Sequence, residues 1–484
     1  MECKTLSDIC LRICSGGTPK RSCREYYDGG TIPWLNTAEV NFNRIRSTAS
    51  HITEQGLDNS STRWVPKDTV IVAMYGATAG RVAIAGIPLT TNQACCNLVI
   101  DCALADPKYV YYWLKNRHCE IAGLANGGAQ QNLSVRVLKE VEIVLPALSV
   151  QHAVADYLAV LDEKIELNSR INDHLLEYAR TIFEKWLAST HINYVPVADI
   201  AEFNPDNYSP REQWPLVQYL DTGNITRGIV ESYQAIDPQS ERLPSRARRK
   251  VTSGDIIYSS VRPIQKHYGL ILSPAKNVLV STGFTVIRAN DRLVCPELLY
   301  LFLTQDSVTK TLQQIAEQSV STYPSIKADD LGALQFPLPS SKEAAELQPA
   351  LKDIFGAIDS NRQECKQLAK LRDALLPKLM SGEIDVSWID LKQLNGHLAA
   401  YPIWPERKPH PQQLLSEQFV MGASALKVGC IAIYAPDEKP IAGIGNMAFI
   451  ASFPSARKPM HIVSVFEDLD GFGAVFQDKT NDCF

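Results

Sequence analysis

Several signatures of membrane proteins and of self-contained enzymes are missing from the 484 residues. No segment has the roughly 18 uninterrupted apolar residues that a membrane helix needs, and the first eight residues, with Glu2 among them, lack the apolar core of a signal peptide. The phosphate-binding motif G-x-x-x-x-G-K-[ST], the zinc-protease motif H-E-x-x-H and the hydrolase motif G-x-S-x-G are absent as well. We therefore expect a cytoplasmic chain whose activity is binding, with no cofactor of its own.

Paired C-x-x-C motifs are also missing, although the chain has 12 cysteines. Cys10, Cys14 and Cys23 lie close together near the N-terminus but have no matching set of histidines, so a zinc site is not expected. The chain is long enough to bury several cores without disulfides. We expect the cysteines to stay reduced and to pack as small, buried apolar residues.

The overall charge gives no sign of a polyanionic partner, because 48 basic residues face 53 acidic ones and the net charge is -5. One local run is different: five positive charges fall within nine residues without an acid, at Arg242, Arg246, Arg248, Arg249 and Lys250. Such a run is typical of a phosphate-contacting stripe. A solvated charged loop is an equally good interpretation at this stage.

The chain contains an internal repeat at an offset of 193 residues. Without a gap, Leu145-Pro146 aligns with Leu338-Pro339, Asn168 with Asn361 and Lys185 with Lys378. The preceding segments match more weakly, as Pro107–Leu114 does with Pro296–Leu303. A repeat of this length indicates a duplicated domain followed by a duplicated helix.

The two repeated helices show the spacing of a coiled-coil seam, in which apolar positions alternate at three and four residues. The first seam runs from Leu158 to Trp186 and the second from Leu351 to Leu379. At about 37 to 40 residues each helix is roughly 55 to 60 Å long. We expect the two to pair antiparallel about a pseudo-twofold axis, with Asn168 and Asn361 setting the register near that axis. The alternative is that each helix packs only on its own domain.

Short β-rich runs such as Thr69–Met74 and Asp255–Ser259, separated by Gly, Pro, Asn and Thr, predict α/β (α+β) domains, and a further apolar run occurs at Gly429–Tyr434. We predict the following organisation: a first globular domain at 1–145, a first spacer helix at 146–194, a second domain at 195–340, a second spacer helix at 341–395, and a C-terminal extension at 396–484 of unknown role, either a small domain or partly disordered.

Motifs in both halves resemble one known family. Gly16-Gly-Thr-Pro19, Tyr26–Gly30, Ile32-Pro-Trp-Leu35, Ile52–Leu57 and Asn92-Gln93 are similar to the target-recognition domain of type I restriction-modification specificity subunits. The segment Leu371–Ile384 resembles that family's C-terminal helix signature. The resemblance covers about residues 1–395. The last ninety residues depart from the family, which leaves open a fusion, an altered reading frame or a truncated neighbour.

This resemblance implies a DNA-binding subunit without catalysis. Residues 1–145 would read the 5′ part of a split DNA target, and residues 195–340 the 3′ part. Two modification (methyltransferase) subunits and further restriction (motor-nuclease) subunits would be the partners, and they would carry S-adenosylmethionine, ATP and Mg²⁺. The aromatic residues Tyr178, Phe183 and Trp186 would give a docking surface on the first helix or pack on the chain's own domain.

Base edges are read mainly by Arg and Lys at guanine and by Asn and Gln at adenine. We chose loop residues by their position in the repeat. In the first domain the candidates are Lys20, Arg21, Arg24, Tyr75, Thr78, Arg81, Thr91, Asn92, Gln93, Gln130, Gln131 and Asn132. In the second domain they are Tyr219, Thr222, Arg246, Arg248, Arg249, Lys250, Arg262, Gln265, Lys266, Ser281, Thr282, Ser321 and Tyr323. For a single polar loop residue, a solvated or turn-capping role is the commoner alternative.

Two other functions remain open from the sequence. One is a DNA methyltransferase whose active site has no recognisable motif. The other is a solitary DNA-binding or coiled-coil scaffold protein without enzymatic partners.

Overall fold

The computed structural model describes residues 2–125, 132–189, 193–318 and 324–386, together with the backbone of three strands between 450 and 477. Across these residues no helix has both the length and the apolar character to cross a membrane. The chain divides into two compact units, Met1–Ile165 with Lys366–Phe484 and Glu166–Cys365. Each long helix contributes part of its length to each unit.

In unit 1, short strands and helices precede the first long helix. A five-stranded sheet has the order β2-β9-β6-β7-β4, a three-stranded sheet the order β5-β3-β8, and β1 pairs with β10. The strands are β1 (Glu2–Thr5), β2 (Cys10–Ser15), β3 (Ile32–Leu35), β4 (Asn43–Ile45), β5 (Ser50–Ile52), β6 (Val70–Ala73), β7 (Val82–Ala85), β8 (Thr90–Thr91), β9 (Cys95–Ile100) and β10 (Glu142–Leu145). The helices are α1 (Glu54–Asp58), α2 (Pro107–Asn116), α3 (His118–Gly123), α4 (Val135–Lys139) and the long α5 (Leu148–Ser189).

Unit 2 repeats the central strands of this topology but, among its described residues, has no counterpart of β4, and it adds β17 and the pair β14-β15. Its sheets have the orders β12-β21-β18-β19 and β16-β13-β20-β17, and β11 pairs with β22 as β1 pairs with β10. The strands are β11 (Asn193–Pro196), β12 (Ala201–Phe203), β13 (Val217–Leu220), β14 (Ile225–Thr226), β15 (Ile229–Val230), β16 (Gln234–Ile236), β17 (Ala247–Lys250), β18 (Asp255–Ser259), β19 (Tyr268–Ile271), β20 (Val278–Ser281), β21 (Phe284–Ala289) and β22 (Gln335–Leu338). The helices are α6 (Pro296–Leu303), α7 (Asp306–Gln318), α8 (Ala328–Gly332) and the long α9 (Ser341–Ser381).

The central strands are apolar on both faces because helices or a second sheet cover each side. β6, β7, β18 and β20 are buried at every position. Such strands read as continuous hydrophobic runs, and the predicted runs at Thr69–Met74 and Asp255–Ser259 match β6 and β18. The mixed α/β class expected from the sequence is therefore confirmed.

The helices α5 and α9, of 42 and 41 residues, pack together in antiparallel orientation. In unit 2 the Asn168 side chain donates to Glu364 over 2.6 Å and the Asn361 side chain donates to Asn172 over 2.9 Å. Asn168 is only 1% exposed. A buried amide bonded across a seam can specify its register, and this role for Asn168 and Asn361 stays a prediction.

Each half of the helix pair also joins the core of a unit. Ala179, Phe183 and Trp186 of α5 are buried with Leu351 and Phe355 of α9 in the unit 2 core. The interpretation of Phe183 and Trp186 as an external docking surface is therefore wrong, because both rings pack on the chain's own domain. Tyr178 is 43% exposed and is the one member of that aromatic group that faces solvent.

At the positions of unit 1 that correspond to Ala179 and Phe355 of unit 2, α5 and α9 carry charged residues instead of apolar ones. Arg372 donates to Asp162 over 2.6 Å, and the Tyr112 hydroxyl donates to the other Asp162 oxygen over 2.7 Å. At the offset of 193, Asp162 corresponds to Phe355 and Arg372 to Ala179. The two helix junctions thus use different chemistry in a shared geometry.

The expectation that the cysteines are buried holds for only some of them. Cys95, Cys96 and Cys295 are buried, whereas Cys3 in β1, Cys102 in a turn and Cys119 in α3 are exposed. In the C-terminal extension the backbone forms an antiparallel sheet of β23 (Ile450–Ala451), β24 (Met460–Asp468) and β25 (Gly471–Gln477). The rest of 387–484 lies outside the described residues, including the apolar run at 429–434.

Candidate nucleic-acid interface

The family-like motifs of unit 1 build a scaffold beneath the candidate loop. Gly16 and Gly17 lie so close to the backbone of Thr91 and Thr62 that a Cβ at either position would collide with it. The Trp34 indole donates to the Gly17 carbonyl over 3.0 Å, and its ring packs edge-to-face with Tyr27. These residues fix the path of the chain into the loop that carries the basic side chains.

Three candidate segments of unit 1 meet at the end of β6. We call residues 74–78, 92–94 and 132–133 rim 1. The Met74 amide donates to the Ala94 carbonyl over 2.8 Å, and the Leu133 amide donates to the Met74 carbonyl over 2.8 Å. Tyr75 also forms an isolated bridge with Asn132. The predicted residues Tyr75, Gln93 and Asn132, all exposed, therefore lie on adjacent segments.

The basic loop is attached to the same place. The Thr18 hydroxyl is hydrogen-bonded to the Gln93 side-chain carbonyl. Lys20, Arg21 and Arg24 follow directly and are exposed. The basic side chains of this loop and the side-chain amide of Gln93 thus lie in the same part of unit 1. Basic side chains are suited to phosphate contact and a side-chain amide to base reading.

The remaining unit 1 candidates are held by contacts within the protein. The Asn92 side chain donates to Asn36 over 3.3 Å, the Thr78 hydroxyl donates to the Tyr75 carbonyl over 3.2 Å, and Arg81 donates to Asn41 over 3.1 Å. Thr91 is 0% exposed and accepts a 2.8 Å bond from Asn97, so its selection as a DNA contact is wrong. It ends β8 with its side chain turned inward, which a polar residue type does not reveal.

Unit 2 forms the same arrangement at the end of β18. We call residues 260–265, 282–283 and 324–326 rim 2. The Ser260 amide donates to the Gly283 carbonyl over 2.7 Å, and the Ile326 amide donates to the Ser260 carbonyl over 2.9 Å. Val261 bridges Ser325 as Tyr75 bridges Asn132. Exposed predicted residues on or beside rim 2 are Arg246, Arg262, Gln265 and Thr282.

The turn at Thr282 connects rim 2 to two other candidates. The Thr282 amide donates to the Arg246 carbonyl over 2.9 Å. Thr222, which is partly exposed, lies against Gly283, where a Cβ would come within 2.8 Å of its methyl group. Lys266 is paired with Asp306 over 2.6 Å, and Nδ1 of the His267 ring lies 2.6 Å from the Ile225 carbonyl oxygen.

Two candidates of unit 2 are interior. Ser281 is 0% exposed at the end of β20. Tyr219 is 6% exposed, its hydroxyl donates to Asp221 over 3.1 Å, and burial raises its pKa. Their selection as direct DNA contacts is wrong, because both side chains pack inside the sheet that supports rim 2.

The five basic residues between Arg242 and Lys250 do not share one surface, because the last four residues of this run form β17. Arg242, Arg246 and Arg248 are exposed, whereas Arg249 is half-buried, and burial lowers the pKa of its guanidinium. Lys250 pairs with Glu212 over 2.5 Å and lies 5.6 Å from the centre of the Trp214 ring. The interpretation of the run as one continuous stripe of five phosphate contacts is therefore wrong, since neighbouring side chains of a strand point to opposite faces.

Four predicted residues, Gln130, Gln131, Ser321 and Tyr323, lie outside the described residues. Two residues that bond to candidates were not among the predicted ones: Thr18, which contacts Gln93, and Asn36, which accepts from Asn92. The Gly16–Pro19 motif contains Thr18 and could have indicated it, but Asn36 has no local signal. No group of three potential metal ligands occurs among the residues that the structure describes.

Comparisons with known proteins agree with this architecture. Residues 1–177 match the family model of the type I restriction modification DNA specificity domain. The MjaIX specificity subunit of Methanocaldococcus jannaschii is 25% identical over 420 residues, which cover 80% of this chain and 94% of the relative. The HindI specificity subunit of Haemophilus influenzae is 28% identical over 162 residues, covering 34% of this chain and 35% of the relative.

A solved structure has the same fold. The type I restriction-modification S subunit from Mycoplasma genitalium superimposes with a TM-score of 0.50 at 19% identity, covering 78% of this chain and 95% of that one. Residues 1–177 thus match the type I restriction modification DNA specificity domain, and the chain is similar to a type I specificity subunit over 80% of its length.

Proposed function

We propose that this chain is the DNA-binding subunit that sets the split target of a type I restriction-modification complex. Residues 1–145 read one half-site through rim 1 and its basic loop, and residues 195–340 read the other through rim 2. The chain performs no catalysis and works with DNA in the cytoplasm.

One observation supports this proposal above the others: the same topology occurs twice, with equivalent rims that carry different side chains. Rim 1 presents Tyr75, Gln93 and Asn132, whereas rim 2 presents Val261, Arg262 and Thr282. Two readers of one fold but of different chemistry would recognise two different base sequences, because base-edge contacts depend on donor and acceptor patterns.

The paired helices are proposed to set the distance between the half-sites and to dock the partners. Two modification subunits would supply methyl transfer, and restriction subunits would supply ATP-dependent cleavage. Adenine methylation within a duplex requires base flipping into a catalytic pocket, and this pocket would belong to the partners. The proposed domains and spacer helices span 1–145, 146–194, 195–340 and 341–395.

The decisive experiment co-expresses the chain with its modification subunit in a host that lacks other adenine methylation, and maps methylated adenines across the genome. We expect one motif with two specified parts and an unspecified spacer, and no methylation when the chain is left out. An unsplit motif, or methylation that does not depend on the chain, would contradict the proposal.

The two alternatives give different results in simpler assays. Methyl transfer by the isolated chain, measured with labelled S-adenosylmethionine, would indicate a self-contained methyltransferase. Recovery of the chain from its own cells without a methyltransferase would favour a solitary DNA-binding or scaffold protein.

A further inference from the structure

Rim 2 presents an apolar side chain that the proposed polar contacts do not use. Ile264 is 52% exposed and belongs to a 3-10 turn, Pro263–Gln265, that follows β18. Single exposed apolar residues are common on protein surfaces, so exposure alone carries no argument. The construction of the turn gives Ile264 its significance.

The turn is held in an uncommon conformation at both ends. Arg262 and Lys266 have φ values of 48° and 58°, in the left-handed region that L-residues other than Asn and Asp seldom occupy. The equivalent loop of unit 1 uses Gly76 at a positive φ, where no side chain is strained. Backbone strain of this kind persists only where the surroundings enforce it, and it is concentrated at functional sites.

Four contacts enforce the conformation. The Arg262 amide donates to the Pro324 carbonyl over 3.0 Å, and the Ile264 amide donates to the Gln313 side chain over 3.2 Å. Lys266 is paired with Asp306 over 2.6 Å, and Pro263 is buried beneath the turn. The protein thus anchors the residues on both sides of Ile264 and projects its side chain outward from a fixed position.

The chemistry around Ile264 favours DNA over an apolar protein partner. Arg262 on one side of Ile264 is basic and exposed, Gln265 next to Ile264 is a polar, exposed residue, and Lys266 is already paired with Asp306. Among the groups in the major groove, the thymine 5-methyl is the one that an aliphatic side chain can recognise by apolar contact. We propose that Ile264 reads a thymine methyl group in the half-site of residues 195–340, an inference that rests on the proposed function.

The test uses the chain in complex with its modification subunits and duplexes of the sequence recovered by methylation mapping. Each thymine of that half-site is replaced in turn by deoxyuridine, which removes only the methyl group. Binding is measured for the unmodified protein and for Ile264→Ala. The matched control is Leu293→Ala, which removes a side chain of similar exposure, 42%, beyond the opposite end of β21.

We expect one deoxyuridine position to weaken binding by the unmodified protein roughly fourfold, the value of one buried methyl-sized group. Ile264→Ala should weaken binding to the thymine duplex by a similar factor and become insensitive to deoxyuridine at that position alone. Leu293→Ala should retain the sensitivity of the unmodified protein.

The inference would be overturned if Ile264→Ala weakened binding but stayed as sensitive as the unmodified protein to deoxyuridine at every position. It would also be overturned if Ile264→Ala bound the target duplex as tightly as the unmodified protein. A loss that is equal on the target and on a scrambled duplex would also overturn it, because it would assign the turn to backbone contacts. In each of these outcomes the proposed function still stands if the unmodified protein binds the target duplex more tightly than the scrambled duplex. Absence of that preference would refute the function itself.

Discussion

Thr18 and Gln93 show how a supporting residue would orient a side chain that is proposed to read a base. Thr18 belongs to a motif that builds the scaffold, and its hydroxyl contacts the Gln93 side chain on rim 1. A glutamine amide can recognise adenine through two hydrogen bonds in the major groove, but only when its plane is fixed. The hydrogen bond from Thr18 restricts that plane before DNA arrives.

The first prediction at this scale concerns Gln93→Ala. It should reduce discrimination at one base pair of the half-site of residues 1–145 by about 1 to 3 kcal/mol and leave the other half-site unchanged. The measurement is competitive binding of target duplexes with single base-pair changes. Gln335→Ala is the matched control, since Gln335 is an exposed glutamine on β22, away from rim 2. Equal loss at both half-sites would contradict the assignment.

The second prediction concerns the cysteines. Burial raises the pKa of Cys96 and Cys295 to about 12 from an ordinary value of 9.0, and it also raises the pKa of Cys95. Because the thiolate is the reactive form, these three should resist alkylation at mildly alkaline pH, whereas exposed Cys102 and Cys119 react. Mass spectrometry of the alkylated protein shows the order in which the cysteines react. As a control, all of these cysteines should react alike in denaturant.

The same pKa shifts have a consequence for stability. Above its ordinary pKa of 9.0 an unfolded cysteine releases its proton, whereas the buried thiols of Cys96 and Cys295 keep theirs until about 12. Stability from these groups is therefore fully present below pH 9 and decreases as the pH rises from about 9 to 12.

At the scale of elements, the helices and central strands were predictable and the orientation of edge side chains was not. The seam from Leu158 to Trp186 indicated α5 because the three-and-four spacing persists over several turns. The expected lengths of about 37 to 40 residues compare with 42 and 41 in the structure. Apolar runs likewise located β6 and β18, whose residues are buried on both faces.

Thr91, Ser281 and Tyr219 show where local sequence is insufficient. Each is polar and lies at or near the end of a strand next to a candidate loop, yet each side chain is interior. Side chains alternate between the two faces of a strand, so an error of one residue in the predicted register exchanges the buried and the exposed side chains. The packing of the second sheet decides the outcome, and that packing depends on distant residues.

The helix junction of unit 1 provides a prediction for the element scale. Arg372→Leu should lower the free energy of unfolding by about 1 to 3 kcal/mol, because Asp162 would lose its charged partner in a partly buried site. The double variant Asp162→Leu with Arg372→Leu should recover most of the loss, since apolar pairs replace such ion pairs well. Urea unfolding measures both.

Lys378→Ala is the control for that experiment. Lys378 pairs with Glu383 over 3.5 Å, but both side chains are more than half exposed, at 53% and 63%. Surface pairs of this kind contribute about 0 to 1 kcal/mol. A larger effect for Lys378→Ala than for Arg372→Leu would show that the junction does not depend on the buried charge pair.

At the scale of the whole molecule, the proposed function assigns one DNA sequence to each of the two duplicated units. A single domain of this size could contact one half-site, whereas two domains joined by long helices can contact two with a defined separation. Readers that address the same face of DNA need to be about one helical turn apart, ~34 to 36 Å. Helices of about 60 Å have the length to set such a distance.

The last prediction changes this length. Duplicating one heptad in each helix, Ile165–Ile171 in α5 and Ile358–Glu364 in α9, adds about 10 Å to the pair and preserves the seam. At 3.4 Å per base pair the unspecified spacer should lengthen by about 3 base pairs, while both half-sites stay the same because neither rim is altered. Methylation mapping with the variant measures the new spacer directly.

The control carries the α5 insertion alone. It separates Asn168 and Asn172 from their partners Glu364 and Asn361, so stability should fall and methylation should be lost or become irregular. If instead the doubly extended protein folds, methylates the same two half-sites and keeps the original spacer, the separation must be set by contacts outside the helix pair. In that case the helices would support the two units without determining the distance between the sequences that they read.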